Sequence, residues 1–243
     1  METFPTRLSV NVNKIATLRN ARGGKLPCPV TAAERLQQWG ADGITVHPRP
    51  DGRHITFEDV RKLRVAVTTE FNIEGYPSEG FIELVLEVRP EQVTLVPDPP
   101  GILTSNAGWD TLQHQELLRK VLADFRSQGI RTSLFLGTEP DLIQGAAEAG
   151  ADRIELFTGP YAEHFFSHPN EAIQPFVAAA ELAHKCGLGV NAGHDLNLDN
   201  LKFFSDQMVP LHEVSIGHAL ISDALYFGLQ NTVGMYKERL RKS

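Results

Sequence analysis

Only two cysteines, Cys28 and Cys186, occur in this 243-residue chain, and they stand in no metal-type spacing. That excludes a disulfide framework and a cysteine-built metal site, so both are read as reduced cytosolic thiols. No run of about 18 apolar residues occurs, the length a membrane-spanning helix needs. The first residues, METFPTRLSV, hold no apolar stretch of signal length. The expectation is a soluble, cytoplasmic protein with no membrane partner. Runs of Lys and Arg are also missing, and 23 Lys+Arg against 30 Asp+Glu leave a formal net charge of −7. Such a surface does not track a nucleic-acid backbone, so no nucleic-acid partner is expected. An anionic ligand would have to be held by a few placed arginines and backbone N–H groups, against the global field.

What is present is a change of period, repeated along the chain. Short runs rich in Val, Ile and Leu predict eight strands: Leu8–Val12, Gly43–His47, Phe71–Glu74, Gln92–Val96, Thr132–Leu136, Arg153–Phe157, Gly189–Ala192 and Glu213–Ile216. Between them, apolar residues spaced three and four apart predict helices over Thr31–Trp39, Phe57–Val67, Ser78–Val88, Thr111–Gln128, Pro140–Gly150, Glu171–Cys186, Leu198–Asp206 and His218–Leu229. A further amphipathic helix is expected over Asn231–Ser243. Gly40, Gly129, Gly150 and Gly187 stand just past helical segments, where a left-handed C-cap turns the chain into the next strand. Gly40-Ala41-Asp42 and Gly150-Ala151-Asp152 form a faint internal repeat. Helix, short turn and buried strand, eight times over, predict a (β/α)8 TIM barrel with additional helices. An open nucleotide-binding sheet would carry glycines after its first strand, where this chain reads Asn11-Val12-Asn13-Lys14-Ile15-Ala16. With no linker or composition break, residues 1–243 read as a single domain.

In a parallel barrel the chemistry gathers at the carboxyl ends of the strands and in the loops that follow them. Asn11, Asn13, Lys14, Arg19 and Arg22 follow the first strand, His47, Arg49, Arg53 and His54 end or follow the second, and Glu74 ends the third. The long segment from Pro97 to Trp109 carries Thr104 and reads as a lid, with Gly101 and Gly108 available as hinges, or else as a disordered loop. Strand six carries Glu155 and Thr158, strand seven runs to His194, and strand eight into Gly217-His218. Any one of these histidines reads equally well as a satisfied core residue, but His47, His194 and His218 together at one mouth point to acid–base chemistry. Glu74 ends an apolar strand, where burying a carboxylate is costly unless it is used or paired. Glu155 either faces inward or pairs structurally with an arginine. The loop arginines fit phosphate oxygens, though each alone is ordinary loop charge. Backbone N–H groups at Gly217-His218 offer a second anion site. Two anion sites imply one bisphosphate or two phosphorylated substrates.

Several segments together resemble the pyridoxine 5'-phosphate synthase family: Val10–Arg22, Gly43–Arg49, Arg53–Thr56, Val190–His194 and Ile216–His218. The likeness runs from Leu8 to about Tyr236. It implies a barrel with added helices, assembled as a homo-octamer, and a transferase of vitamin B6 biosynthesis that uses neither metal nor organic cofactor. The implied reaction condenses 3-amino-2-oxopropyl phosphate with 1-deoxy-D-xylulose 5-phosphate, giving pyridoxine 5'-phosphate, inorganic phosphate and water. By resemblance, His47 and Glu74 form the acid–base pair, His194 donates a proton, and Glu155 stabilises the transition state. Asn11, Arg22, Gly217 and His218 are implied to hold the amino ketone phosphate; Arg49, His54 and Thr104 hold the xylulose phosphate. Asn13-Lys14 stands where some members carry Asp-His, in contact with the xylulose phosphate. Asp195 stands where some members carry Gly and receives no role.

The residues alone leave three other readings. A metal-dependent hydrolase would ligate through His47, Glu74, His194 and His218, but such barrels often carry a His-x-His pair where this chain has Asn11-Val12-Asn13. A Schiff-base aldolase would need a strand-end lysine, for which Lys14 is the near candidate. A non-catalytic phosphosugar-binding protein would use the anion sites alone.

Overall fold

The computed structural model describes residues 5–49, 51–98 and 107–242. All eight expected strands form: β1 (Arg7–Asn11), β2 (Gly43–Val46), β3 (Glu70–Gly75), β4 (Gln92–Leu95), β5 (Arg131–Leu136), β6 (Arg153–Leu156), β7 (Gly189–Gly193) and β8 (Glu213–Ile216). Each pairs in parallel with the next, and β8 returns to β1, with Leu8 opposite Val214, so the sheet closes into a barrel in chain order. The described helices are α1 (Asn13–Arg22), α2 (Pro29–Gln38), α3 (Phe57–Ala66), α4 (Glu79–Val88), α5 (Gln115–Ser127), α6 (Pro140–Ala149), α7 (Gly159–His164), α8 (Pro169–Lys185), α9 (Leu201–Gln207), α10 (His218–Phe227) and α11 (Leu229–Arg239).

Local chemistry accounts for most boundaries. The four turn glycines read from the sequence take positive φ, +100° at Gly40, +75° at Gly129, +88° at Gly150 and +79° at Gly187. The Gly-Ala-Asp repeat has a use: Asp42 Oδ2 accepts the Leu8 N–H at 2.8 Å, and Asp152 Oδ2 accepts the Thr132 N–H at 2.8 Å. Each aspartate thus satisfies a donor at the start of the preceding strand. Thr56 and Asp59 close a reciprocal capping box on α3.

Two helices were not expected. The stretch after β1 has the sequence character of a loop, yet it winds into α1; only Ile15 and Ala16 are buried along it, so no apolar stripe announces it. The six-residue α7 buries only Tyr161. Both are too lightly packed to leave a period in the sequence.

The strands alternate between two kinds of buried face. Phe71, Ile73, Val93, Leu95, Val214 and Ile216 join the apolar core, and their neighbours in sequence are buried but polar: Asn72, Thr94, Glu213 and Ser215. Gln92 on β4 bonds Glu213 on β8 at 3.3 Å, and Asn191 on β7 bonds Gln92 at 3.3 Å. Neither pair of strands is adjacent in the sheet, so these bonds cross the lumen. The interior of this barrel is a polar network rather than an aliphatic plug, which satisfies groups that would otherwise be costly to bury. Arg7 and Arg131 pair with Glu70 at its amino end, and Arg153 donates to Asn191.

Candidate active site

At the carboxyl end of the strands lies a cavity of about 570 Å³. Its wall includes Asn11, Asn13, Lys14, His47, Arg49, His54, Glu74, Glu155, His194, Gly217 and His218. Every site residue that the family resemblance implies is therefore in one cavity except Arg22 and Thr104. Arg22 ends α1 and is exposed, away from this wall. Thr104 lies outside the described residues, as does Gly101 of the expected lid. Gly108 is described, and it is no simple hinge: a Cβ there would lie 2.5 Å from the Gly137 nitrogen and the Leu136 Cα, so the position requires close backbone approach to the end of β5.

Glu74 is the centre of the site. Alternation along β3 turns Asn72 and Glu74 into the lumen while Phe71 and Ile73 pack outward. The Ser215 hydroxyl on β8 donates to Glu74 Oε1 at 3.3 Å, and Asn11 Nδ2 on β1 donates to Oε2 at 3.4 Å. His47 Nδ1 stands 3.9 Å from Oε2. Burial raises this carboxyl to about 7, against the lowering effects of His194 and the Ser215 bond. Burial, reinforced by Arg49, pushes His47 down to about 3, which keeps its imidazole neutral at physiological pH. Asn13 sets the backbone here, accepting the His47 N–H at 2.9 Å while its own N–H bonds Asn11 Oδ1 at 3.0 Å.

Glu155 faces inward and is 4% exposed. Burial, then the charges of Glu74 and Glu213, hold it well above the usual carboxylate range. Its Oε2 and the Nδ1 of His54 are buried atoms without a hydrogen-bond partner among the described residues. Both belong to side chains of the cavity wall, where a bound molecule could pair them. His54 is lowered to about 4 by burial and then by Arg49.

The cations divide into two groups. Lys14 and Arg49 line the cavity, Arg49 lying 3.8 Å from Asp98. Arg19 and Arg53, read from sequence as anion ligands, are committed elsewhere. Arg19 grips Asp59 through two bonds of 2.6 and 2.9 Å, and Arg53 pairs with Asp51 at 2.5 Å. Because Asp59 also serves the capping box, removing its partner leaves a buried carboxylate uncompensated. Arg19→Ala is expected to lower stability by about 3 kcal/mol in chemical unfolding; a change confined to substrate affinity would contradict this structural role. Across the cavity, Gly217 opens the ten-residue α10, so backbone N–H groups and the positive helix end stand at the cavity wall.

Sequence reasoning missed Ser215 and Asn197 and left Asp195 without a role; all three also line the cavity. Ser215 had a signal: it alternates with Val214 and Ile216 on a barrel strand, as Glu213 does. Among the described residues, no group of three or more His, Cys, Asp or Glu side chains is arranged to hold a metal ion. No described helix is long and apolar enough to cross a membrane.

The family model described as pyridoxal phosphate biosynthesis protein PdxJ matches residues 8–242. The pyridoxine 5'-phosphate synthase of Bacteroides thetaiotaomicron is 58% identical over 236 residues, covering 97% of this chain and 100% of its own. That of Flavobacterium johnsoniae is 56% identical with the same coverage. Among solved structures, tryptophan synthase of Mycobacterium tuberculosis superposes with a TM-score of 0.66 at 14% identity, over 98% of this chain and 94% of its own. The 3-keto-L-gulonate-6-phosphate decarboxylase of Vibrio cholerae gives 0.65 at 8% identity, over 98% of both chains. At those identities the likeness is one of fold.

Proposed function

The chain belongs to the PdxJ family of pyridoxal phosphate biosynthesis proteins, and from that premise we propose that it condenses 3-amino-2-oxopropyl phosphate with 1-deoxy-D-xylulose 5-phosphate by acid–base catalysis alone. The products are pyridoxine 5'-phosphate, inorganic phosphate and water. The observation that carries the reading is the Glu74 carboxyl, raised to about 7 between Asn11 and Ser215, in a cavity shared with His47 and His194.

The proposed division of labour follows from the charge states. An amine attacks a ketone only when neutral, and Glu74, near half-ionised at neutral pH, takes its proton. His47 stays uncharged and passes protons to and from Glu74. Loss of water from the carbinolamine needs an acid, which His194 supplies. Glu155, held protonated, donates a hydrogen bond to oxygen bearing developing charge. Lys14, Arg49 and His54, with Thr104, take the xylulose phosphate. Asn11, Gly217 and His218 take the amino ketone phosphate on the N-terminal end of α10. Fixing both phosphates orients the reacting carbons, which supplies much of the rate. Assembly into an octamer and a cytoplasmic location complete the proposal.

Purified protein mixed with both phosphates and a chelator is expected to develop the absorbance of the pyridine product at the rate seen without chelator. Activity abolished by chelation and restored by a divalent ion would overturn the metal-free mechanism. Borohydride trapping of substrate on Lys14 would replace it with Schiff-base chemistry.

A further inference from the structure

Asp195 stands beside His194 in sequence and faces the same cavity. Its Oδ2 lies 2.8 Å from His194 Nδ1. Between neighbouring exposed residues such a pair is ordinarily worth little, because two mobile side chains must be held in one geometry. Here the backbone that carries them is fixed. His194 occupies left-handed space at φ +49°, unusual for a residue with a side chain. Its N–H donates to the Ser215 carbonyl at 3.2 Å. The Thr158 hydroxyl donates to the Gly193 carbonyl on one side of His194 and accepts the Asp195 N–H at 3.3 Å on the other. Asn200 Nδ2 closes the turn on the Asp195 carbonyl at 3.2 Å. Three elements therefore spend hydrogen bonds on holding this dipeptide in an uncommon conformation. Such conformations persist where the surroundings over-determine them.

We propose that Asp195 is a positioning residue for the reaction: it takes His194 Nδ1 in a charge-assisted hydrogen bond, leaving Nε2 for the substrate and holding the ring in its proton-bearing form. A carboxylate in a cavity built for two phosphates is otherwise unfavourable, and pairing with an imidazolium removes most of that repulsion. The groups facing His194 are few. Glu74 from β3 favours the charged ring, and Lys14 from α1 opposes it. The Phe157 ring packs edge-on with centroids 6.1 Å apart. The Asp195 bond is the largest influence and raises His194 above the usual histidine value, against its partial burial.

An acid must hold its proton, so turnover falls as pH rises through the His194 titration, and Asp195 moves that fall to higher pH. Asp195→Asn keeps a side chain able to bond Nδ1 but removes the charge. Its alkaline limb of kcat/KM is expected about one pH unit lower than in the unaltered protein. Asp195→Gly should shift the limb the same way without depending on the amide. The inference rests on the synthase reading for the reaction but not for the pairing. The His194 ring is therefore also titrated by NMR in the full-length protein, its resonance identified by its loss in His194→Asn. A lowered His194 titration in both Asp195 variants, in protein that forms no pyridine product, would retain the pairing and reject the synthase reading. An unmoved alkaline limb and an unmoved ring titration in both variants, with product still formed, would overturn the role of Asp195.

Discussion

Glu74→Gln is expected to lower the turnover of the two phosphates by about 10³-fold, within the range that one positioned acid–base group contributes. The amide has nearly the size of the carboxyl and can still accept from Ser215, so the barrel has no reason to rearrange. What it cannot do is exchange a proton. Burial makes the neutral His47 ring so weak a base that it can relay a proton but not hold one near pH 7, and burial with the neighbouring carboxylates raises Glu155 well above the usual range, so neither replaces Glu74. Stability makes the same point with opposite sign. The folded carboxyl titrates near 7 and the unfolded one near 4.5, so the folded state binds more protons between those values. The carboxyl's contribution to stability therefore declines as pH rises from 4.5 to 7. Removing it should leave the variant at least as stable as the parent at pH 8. His194→Asn is expected to cost a similar factor in rate. Steady-state product formation with thermal unfolding checks both, and turnover unchanged in both variants would refute these roles.

Gly193→Ala should cost about 10²-fold in kcat, because it displaces His194 without touching its ring. A Cβ at Gly193 would overlap the carbonyl oxygen of Ser215, the acceptor that fixes the His194 N–H. Backbone cannot rotate out of the way as a side chain can, so β7 must part from β8 at Ser215, whose hydroxyl bonds Glu74. A loss of about 2 kcal/mol in stability should accompany the rate defect. Gly234→Ala is the matching control: exposed inside α11, its Cβ would meet nothing within 4 Å, so it should be neutral or stabilising by up to about 1 kcal/mol. Equal activity in the two variants would show that the β7–β8 contact does not position His194.

Much of the site was legible because barrel geometry converts a strand boundary into a location. Once eight strands were placed, His47, Glu74 and His194 had to lie at one mouth, and all three line the cavity. Arg19 shows where such reasoning fails. It stands in the right region, but its fork is occupied by Asp59, 40 residues away, and nothing local in Arg-Asn-Ala-Arg announces that choice. Arg22, three residues on, remains outside the cavity for an equally nonlocal reason, the direction of α1.

The amino-acid order alone settled the repeating period, the turn glycines, the closed barrel and the strand ends that bear the chemistry, because each is written in neighbouring residues. Tertiary structure decided how the polar faces meet across the lumen: Ser215 reaches Glu74 over 141 positions of sequence, and Thr158 steadies the turn that joins Asp195 to His194. Those contacts depend on the radius and register of a sheet that exists only once all eight strands are in place, so no local pattern could encode them.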